Sequence, residues 1–208
     1  MENTKSILIG YSGHAYVAHS ILANMGITPF AYCDNEAKEN NPFQLQYLGA
    51  ENSEEAFAAL EKNNFFIAIG DNTVRRKVYE NGAQKNIYPI NAIHTSAIIC
   101  NSVILGKSGI MISAGVIINP LSKIGNGVIC NTGCIIEHDC VIGDFAHIAP
   151  GVVLCGNVTI GENSFVGAGS VVKQGITIGK NVTVGAGSVV VKNIPDNATC
   201  YGNPAKIK

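Results

Sequence analysis

The sequence has no tryptophan, and aromatic residues make up only 7% of its 208 positions. Large rings cannot supply the bulk of the interior, so the core must be built from small and β-branched side chains. Charge is equally scarce, at 14% against roughly a quarter in ordinary soluble proteins. The net charge is −1, and no extended Lys and Arg cluster is present to neutralise a phosphate backbone. Nucleic acid is therefore excluded as the natural partner. A chain that is 47% apolar is not a disordered one. Its few charges leave apolar surface to cover, which points to an oligomer. No apolar run reaches the ~18 residues a membrane helix needs. The opening MENTKSILIG has no charged-then-apolar leader with a cleavage site, so a cytoplasmic protein is expected. Seven cysteines are an odd number without a secretion signal. Reduced thiols are expected rather than a disulfide framework.

Glycine, by contrast, is abundant, at 23 residues. The first of these shape an α/β pattern. Ile7-Leu8-Ile9 reads as a strand ending at Gly10, and a helical stretch through Val17, Ala18, Ile21, Leu22 and Met25 follows, with Gly26 as its C-terminal stop. Thr28–Tyr32 and Phe65–Ile69 read as further strands, Glu54–Lys62 as a helix, and Thr73 as the cap of a helix carrying Arg75, Arg76 and Tyr79. Strands alternating with helices predict a small parallel sheet. Gly10, Gly13 and Ala15 form a G-x-x-G-x-A turn. Small residues there expose a helix N-terminus to a diphosphate, and Asp34, at the end of the next strand, can meet a ribose or base. A glycine turn that merely lets a helix pack on a sheet has the same sequence. This region of roughly 90 residues is half a dinucleotide fold, which favours a mononucleotide-sized ligand over NAD.

The second half repeats. Apolar residues recur every six positions from Ile112 through Ile118, Ile124, Cys130, Ile136 and Ile142 to Val190, 14 in succession. A second, smaller set lies two residues before each, from Ile110 to Ser188. Residues two apart on a strand face the same side, so both sets point into one interior. Ile-Gly pairs at 124, 142, 160 and 178 add a period of 18. The chain turns a corner every six residues and completes a triangular coil every 18, with glycines expected where corners need positive φ. This is a hexapeptide β-solenoid. Cys130, Cys134 and Cys140 fall on inward positions as small hydrophobes, and Cys100 joins them if the register extends back unchanged. Inward thiols of this kind do not form a zinc site.

One polar break interrupts the wall: Glu137-His138-Asp139 at a corner, with His147 nine residues on at an outward position. Histidine accepts a proton at neutral pH, and a neighbouring carboxylate can hold its tautomer. A solvated corner with surface histidines would carry the same residues. One coil above His138 lies Gly156, whose bare backbone would let a ligand approach and whose N–H could meet a carbonyl oxygen. Cys155 has no histidine placed to make it a nucleophile. A zinc hydratase needs three converging histidines, and His94 is far from His138 and His147 in sequence.

Across nearly its whole length the chain resembles the hexapeptide-repeat sugar O/N-acyltransferases, the sialic acid O-acetyltransferase family, and within it the UDP-4-amino-sugar N-acetyltransferases of the bacillosamine pathway. The resemblance rests on Ser12-Gly13-His14, the Phe65–Gly70 strand with Asn72 and Arg75, Ile136–Gly143, Phe145-Ala-His147, Gly156-Asn-Val and Gly202-Asn-Pro-Ala-Lys206. It implies a Rossmann-like nucleotide-sugar-binding domain over 1–92 and a left-handed parallel β-helix over 93–208, the latter the acyltransferase, assembled as a homotrimer. It implies transfer of an acetyl group from acetyl-CoA to the 4-amino group of a UDP-4-amino-4,6-dideoxy-N-acetylglucosamine-type sugar, without a metal. O-acetylation of sialic acid or another sugar remains the alternative. By the same resemblance His138 is the general base, oriented by Asp139 or, since Asp is shorter than the usual Glu, by Glu137. His147 and the Gly156 N–H meet the thioester, and Ala168 and Ala186 flank the pantetheine arm. Ser12, Gly13, His14, Asp34, Asn72 and Arg75 hold the nucleotide sugar, with Asp71 departing from the usual Asn.

Overall fold

The apolar runs of the first ninety residues become a parallel sheet. In the computed structural model, which describes residues 4–208, β1 (Thr4–Ile9), β2 (Ile27–Cys33), β3 (Gln46–Tyr47) and β4 (Asn64–Ile67) pair in the order β3-β2-β1-β4, all parallel. Three helices connect and flank them: α1 (Gly13–Asn24), α2 (Glu54–Leu60) and α3 (Asn72–Ala83). Helix α1 buries Ala15, Ala18, Ile21 and Leu22, one face at helical spacing. Gly26 follows it with φ +77 and donates its N–H to the Ala23 carbonyl. The core gathers Ile7, Ile9, Ala31, Cys33, Ala56, Leu60, Phe65 and Ile67. Two details differ from the sequence reading. Strand β3, two residues long, has no sequence signal. The cap of α3 is Asp71, whose Oδ1 accepts the Val74 N–H at 2.8 Å, while Thr73 already lies inside the helix. A carboxylate one residue before the first helical residue is well placed to accept that N–H.

A second unit runs from Ser96 to Lys208. Here two-residue strands stack in parallel, each on the one 18 residues on: Ile129 on His147, Ile135 on Val153, Val141 on Thr159. Both inward sets, Ile112 to Val190 and Ile110 to Ser188, are buried throughout. Their serines are satisfied by the next coil. Ser164 Oγ donates to the Gly179 carbonyl at 2.7 Å and accepts the Val182 N–H at 2.9 Å. Among the described residues all seven cysteines are free thiols, and Cys130, Cys134 and Cys140 lie in the prism core.

The first coil departs from the period. Ile98 pairs with Ile117 and Ile104 with Lys123, a spacing of 19, while Met111 pairs with Ile129 at 18. One extra residue before Met111 therefore shifts the earlier register. Ile99 takes the inward column of Ile118, and Cys100 is only half-buried. The glycines also divide into two kinds. Gly133, Gly151, Gly169 and Gly187 hold positive φ at one edge, as the corner argument requires. The Ile-Gly glycines 125, 143, 161 and 179 do not. A Cβ on Gly143 would lie 2.6 Å from the Glu162 backbone nitrogen, so these sites are glycine because adjacent coils touch there. Asn157, Asn163, Asn181 and Asp139 supply positive φ at other corners, as short polar side chains tolerate.

Three edges result, each tied by backbone hydrogen bonds between coils. One runs through Ala114, Thr132, Pro150, Ala168 and Ala186. The second runs through Pro120, His138 and Gly156. The third runs through Ser108, Asn126, Asp144, Glu162 and Lys180.

Candidate functional site

In the first unit the glycine turn sits at the C-terminal end of the sheet, where open α/β folds bind ligands. A Cβ on Gly10 would meet Ile69 Cγ1 at 2.7 Å, and φ there is +86, so only glycine lets β1 turn into α1. A cavity of about 310 Å³ opens at this turn, lined by Ser12, Asp34, Asp71, Tyr11 and Glu51 among others. Ser12 precedes α1 without capping it through its side chain, which leaves the first-turn N–H groups available to an anion. Asp34 is engaged: Oδ2 accepts the Tyr11 N–H at 2.9 Å, and Oδ1 accepts the Asn35 N–H at 2.8 Å and pairs with Lys38 at 3.2 Å.

Gly13, His14, Asn72 and Arg75 are beside the cavity and do not line it. Arg75 is fully buried. Its guanidinium donates to the Ile69 and Gly70 carbonyls at 3.1 and 3.0 Å and to Asn72 Oδ1 at 2.8 Å. It therefore ties the Ile69-Gly70 turn after β4 to α3. Burial pulls its pKa down to about 9, partly offset by Asp71. The His14 ring packs 3.6 Å from where a Gly70 Cβ would stand. Burial first, then the Arg75 charge, pushes its pKa down to about 4, so it is neutral at physiological pH. Asp71, Tyr11 and Glu51 were not singled out as ligand contacts by the sequence. Tyr11, inside the glycine turn, was the one with a local signal.

In the second unit the polar break stands on the Pro120–His138–Gly156 edge. His138 Nδ1 lies 2.8 Å from Asp139 Oδ2, both half-exposed. Asp139 holds φ +59, and this left-handed turn lets so short a side chain reach its neighbour's ring. No hydrogen bond joins the Glu137 side chain to His138; the Glu137 carbonyl accepts the Ser122 hydroxyl inside the coil. The His138 ring lies directly over Gly156, where a Cβ would stand 2.5 Å from its Cε1 and Nε2. The bare backbone at 156 therefore accommodates this ring. The Gly156 carbonyl accepts the Gly175 N–H, and among the described residues the Gly156 N–H has no acceptor.

His147 does face outward, between inward Ala146 and Ile148, yet it is only 8% exposed. Asn131 Nδ2 lies 3.2 Å from its Nε2, and the Phe165 ring meets it edge-on at 5.1 Å. Ala168 and Ala186 are exposed, stacked one coil apart, with the Gly187 N–H bonded to the Ala168 carbonyl at 2.8 Å. They occupy a different edge from His138. Among the described residues no three His, Cys, Asp or Glu side chains converge as metal ligands. No described helix is long and apolar enough to cross a membrane.

A triangular parallel β-helix that presents a carboxylate-oriented histidine on one edge is the architecture of a hexapeptide-repeat acyltransferase. The PglD N-terminal domain matches residues 5–81, and the hexapeptide repeat of succinyl-transferase matches 157–192. A histidine-to-alanine variant of the GDP-perosamine N-acetyl transferase from Caulobacter crescentus, solved with CoA and GDP-perosamine, is 38% identical. The match covers 98% of this chain and 96% of that one, with a TM-score of 0.91. The acetyltransferase domain of PglB from Neisseria gonorrhoeae FA1090, solved with acetyl coenzyme A, is 33% identical over 99% of this chain and 100% of that one, with a TM-score of 0.88. WeeI from Acinetobacter baumannii AYE is 25% identical over 99% and 100%, with a TM-score of 0.83. The chain belongs to the family of nucleotide-sugar N-acetyltransferases built from a PglD-type Rossmann-like domain and a left-handed hexapeptide β-helix.

Proposed function

We propose that the protein moves an acetyl group from acetyl-CoA to the 4-amino group of a nucleotide-linked amino sugar, with His138 as general base. The observation that carries this is the His138–Asp139 pair held over Gly156. With Asp139 accepting from Nδ1–H, Nε2 is left as the proton acceptor. The neutral sugar amine attacks the thioester carbon as its proton passes to Nε2, so a C–N bond forms. The Gly156 N–H, without an acceptor among the described residues, meets the oxygen that gains charge. The C–S bond then breaks, and the proton on His138 passes to the leaving CoA sulfur. Asp139 stabilises the transient imidazolium. A positioned base supplies roughly 10²–10⁴-fold, and one oxyanion donor about 3–4 kcal/mol. The Ser12–His14 turn and Asp34 favour a nucleoside diphosphate handle on the acceptor. GDP-perosamine bound to a 38% identical relative supports an amine over a hydroxyl. Asn72 and Arg75 act behind the pocket by holding its turn.

The working form is a homotrimer. The walls either side of the His138 edge expose Ile98, Ile104, Val141 and Val171, and Leu121 is exposed on the edge itself. Apolar surface so grouped is covered in an assembly. Ala168 and Ala186 lie one wall away from His138 of the same chain, so adjacent copies complete a cleft for acetyl-CoA, with His147 nearby.

The test is thiol release from acetyl-CoA with a 4-amino nucleotide sugar and, separately, free sialic acid. Turnover on the amino sugar alone, lost in His138→Ala, is expected. Turnover on sialic acid alone would move the protein to the O-acetyl branch.

A further inference from the structure

Three carboxylates line the nucleotide cavity: Asp34, Glu51 and Asp71. No Lys or Arg lines it with them. Two of the carboxylates are committed. Asp34 holds the Tyr11 and Asn35 N–H groups and Lys38. Asp71 caps α3. Glu51, half-buried and also bordering a second cavity, is different: among the described residues its carboxylate has no hydrogen-bond or ion-pair partner. The Asp34 N–H donates to the Gly49 carbonyl at 3.1 Å, which draws the 49–51 segment alongside the end of β2. The Glu51 charge is close enough to help burial push the Cys33 thiol up to about 11.

A carboxylate is an acceptor only, with two oxygens side by side. It matches a ligand edge that offers two adjacent N–H donors. Among the common bases, guanine alone has such an edge, N1–H beside the exocyclic N2 amine. Uracil offers one N–H between two carbonyls, which a carboxylate repels. Adenine and cytosine pair one amine with a ring acceptor.

We infer that Glu51 reads the base and makes the pocket selective for guanine nucleotides over uracil nucleotides. This rests on the cavity being the nucleotide site of the proposed function. It departs from the UDP-type sugar that the sequence resemblance implies.

The substitution Glu51→Gln distinguishes base reading from other roles. Glutamine offers one acceptor and one donor, which fits the N–H and carbonyl of uracil and opposes the two donors of guanine. Calorimetric titration of the full-length protein with GDP and with UDP is the experiment. The wild type is expected to bind GDP on the order of 10- to 100-fold more tightly than UDP, the discrimination typical of a bidentate base contact. Glu51→Gln is expected to weaken GDP, strengthen UDP and leave acetyl-CoA binding unchanged. UDP binding as tight as GDP in the wild type would overturn the inference while leaving the nucleotide pocket intact. So would a Glu51→Gln protein that loses both nucleotides equally, the mark of a ribose contact. Binding of neither nucleotide to the wild type would overturn the pocket itself, and this inference with it.

Discussion

Asp139 Oδ2 lies 2.8 Å from His138 Nδ1, although the two residues are consecutive and Asp is the shorter acid. The pairing depends on the positive φ of Asp139. His138→Ala should lower kcat by roughly 10²–10⁴-fold. Asp139→Asn, which keeps the shape and removes the charge, should lower it by about 10- to 100-fold. Glu137→Gln, whose side chain is not hydrogen-bonded to His138, should change kcat less than about threefold. Steady-state kinetics on the three variants decides it. A Glu137→Gln loss equal to that of Asp139→Asn would return the orienting role to Glu137.

Gly156 has a narrow tolerance. A Cβ there would stand 2.5 Å from the His138 ring, and the half-exposed ring can move aside only by giving up its Asp139 contact. Gly156→Ala should therefore cost about 100-fold in kcat with little change in Tm, because the strain is relieved at a surface side chain. Paired kinetics and thermal unfolding test this. A large fall in Tm with normal kcat would mean that the glycine serves the coil alone.

Two kinds of solenoid glycine should answer differently to alanine. At Gly161 a Cβ would run into the Gly179 backbone of the next coil, whereas at Gly169 it would meet open space and only the φ of +67 opposes it. Gly161→Ala should destabilise by about 3 kcal/mol, as overpacking does, and Gly169→Ala by about 1 kcal/mol. Urea unfolding midpoints would show the order, and a reversed order would contradict the close-stacking account.

His14 supplies a pH dependence. Its pKa is held at about 4 by burial and by Arg75, against 6.5 unperturbed. Between those values the unfolded chain binds more protons, so stability rises with pH across that window. The contribution is complete above about pH 6.5 and is lost as pH falls toward 4, at most about 3 kcal/mol in size. His14→Gln should flatten the difference in unfolding midpoint between pH 4.5 and 7.5. An unchanged difference would place the His14 ring in water.

The β-helix was legible because a strict period of six leaves few alternatives, and every inward position from Ile112 to Val190 is buried as the period requires. The period could not reveal the extra residue that makes the first coil 19 long, because a single insertion near the end of a repeat leaves too few cycles to reset the register. Cys100, inward only on the condition of an unchanged register, is half-buried for that reason. The role of the Ile-Gly glycines was misread because close contact between coils is a relation across 18 residues, not a local conformational demand. At the site, His138 and Asp139 are neighbours in sequence and were found together. The Asn131 contact to His147 spans 16 residues, and the bare carboxylate of Glu51 depends on β3 and the loop beyond it, which carry no periodic signal.

The central claim is acetyl transfer to a sugar nitrogen by a base on the β-helix edge. It is tested most directly by identifying the acetylated atom. Acetyl-CoA labelled with ¹³C in the acetyl group, a nucleotide-linked 4-amino sugar and the purified protein would be followed by NMR, with His138→Ala alongside. The account predicts a labelled amide on the C4 nitrogen, formed by the wild type and nearly absent with the variant. A labelled ester on a hydroxyl, or an amide formed equally well without His138, would contradict it.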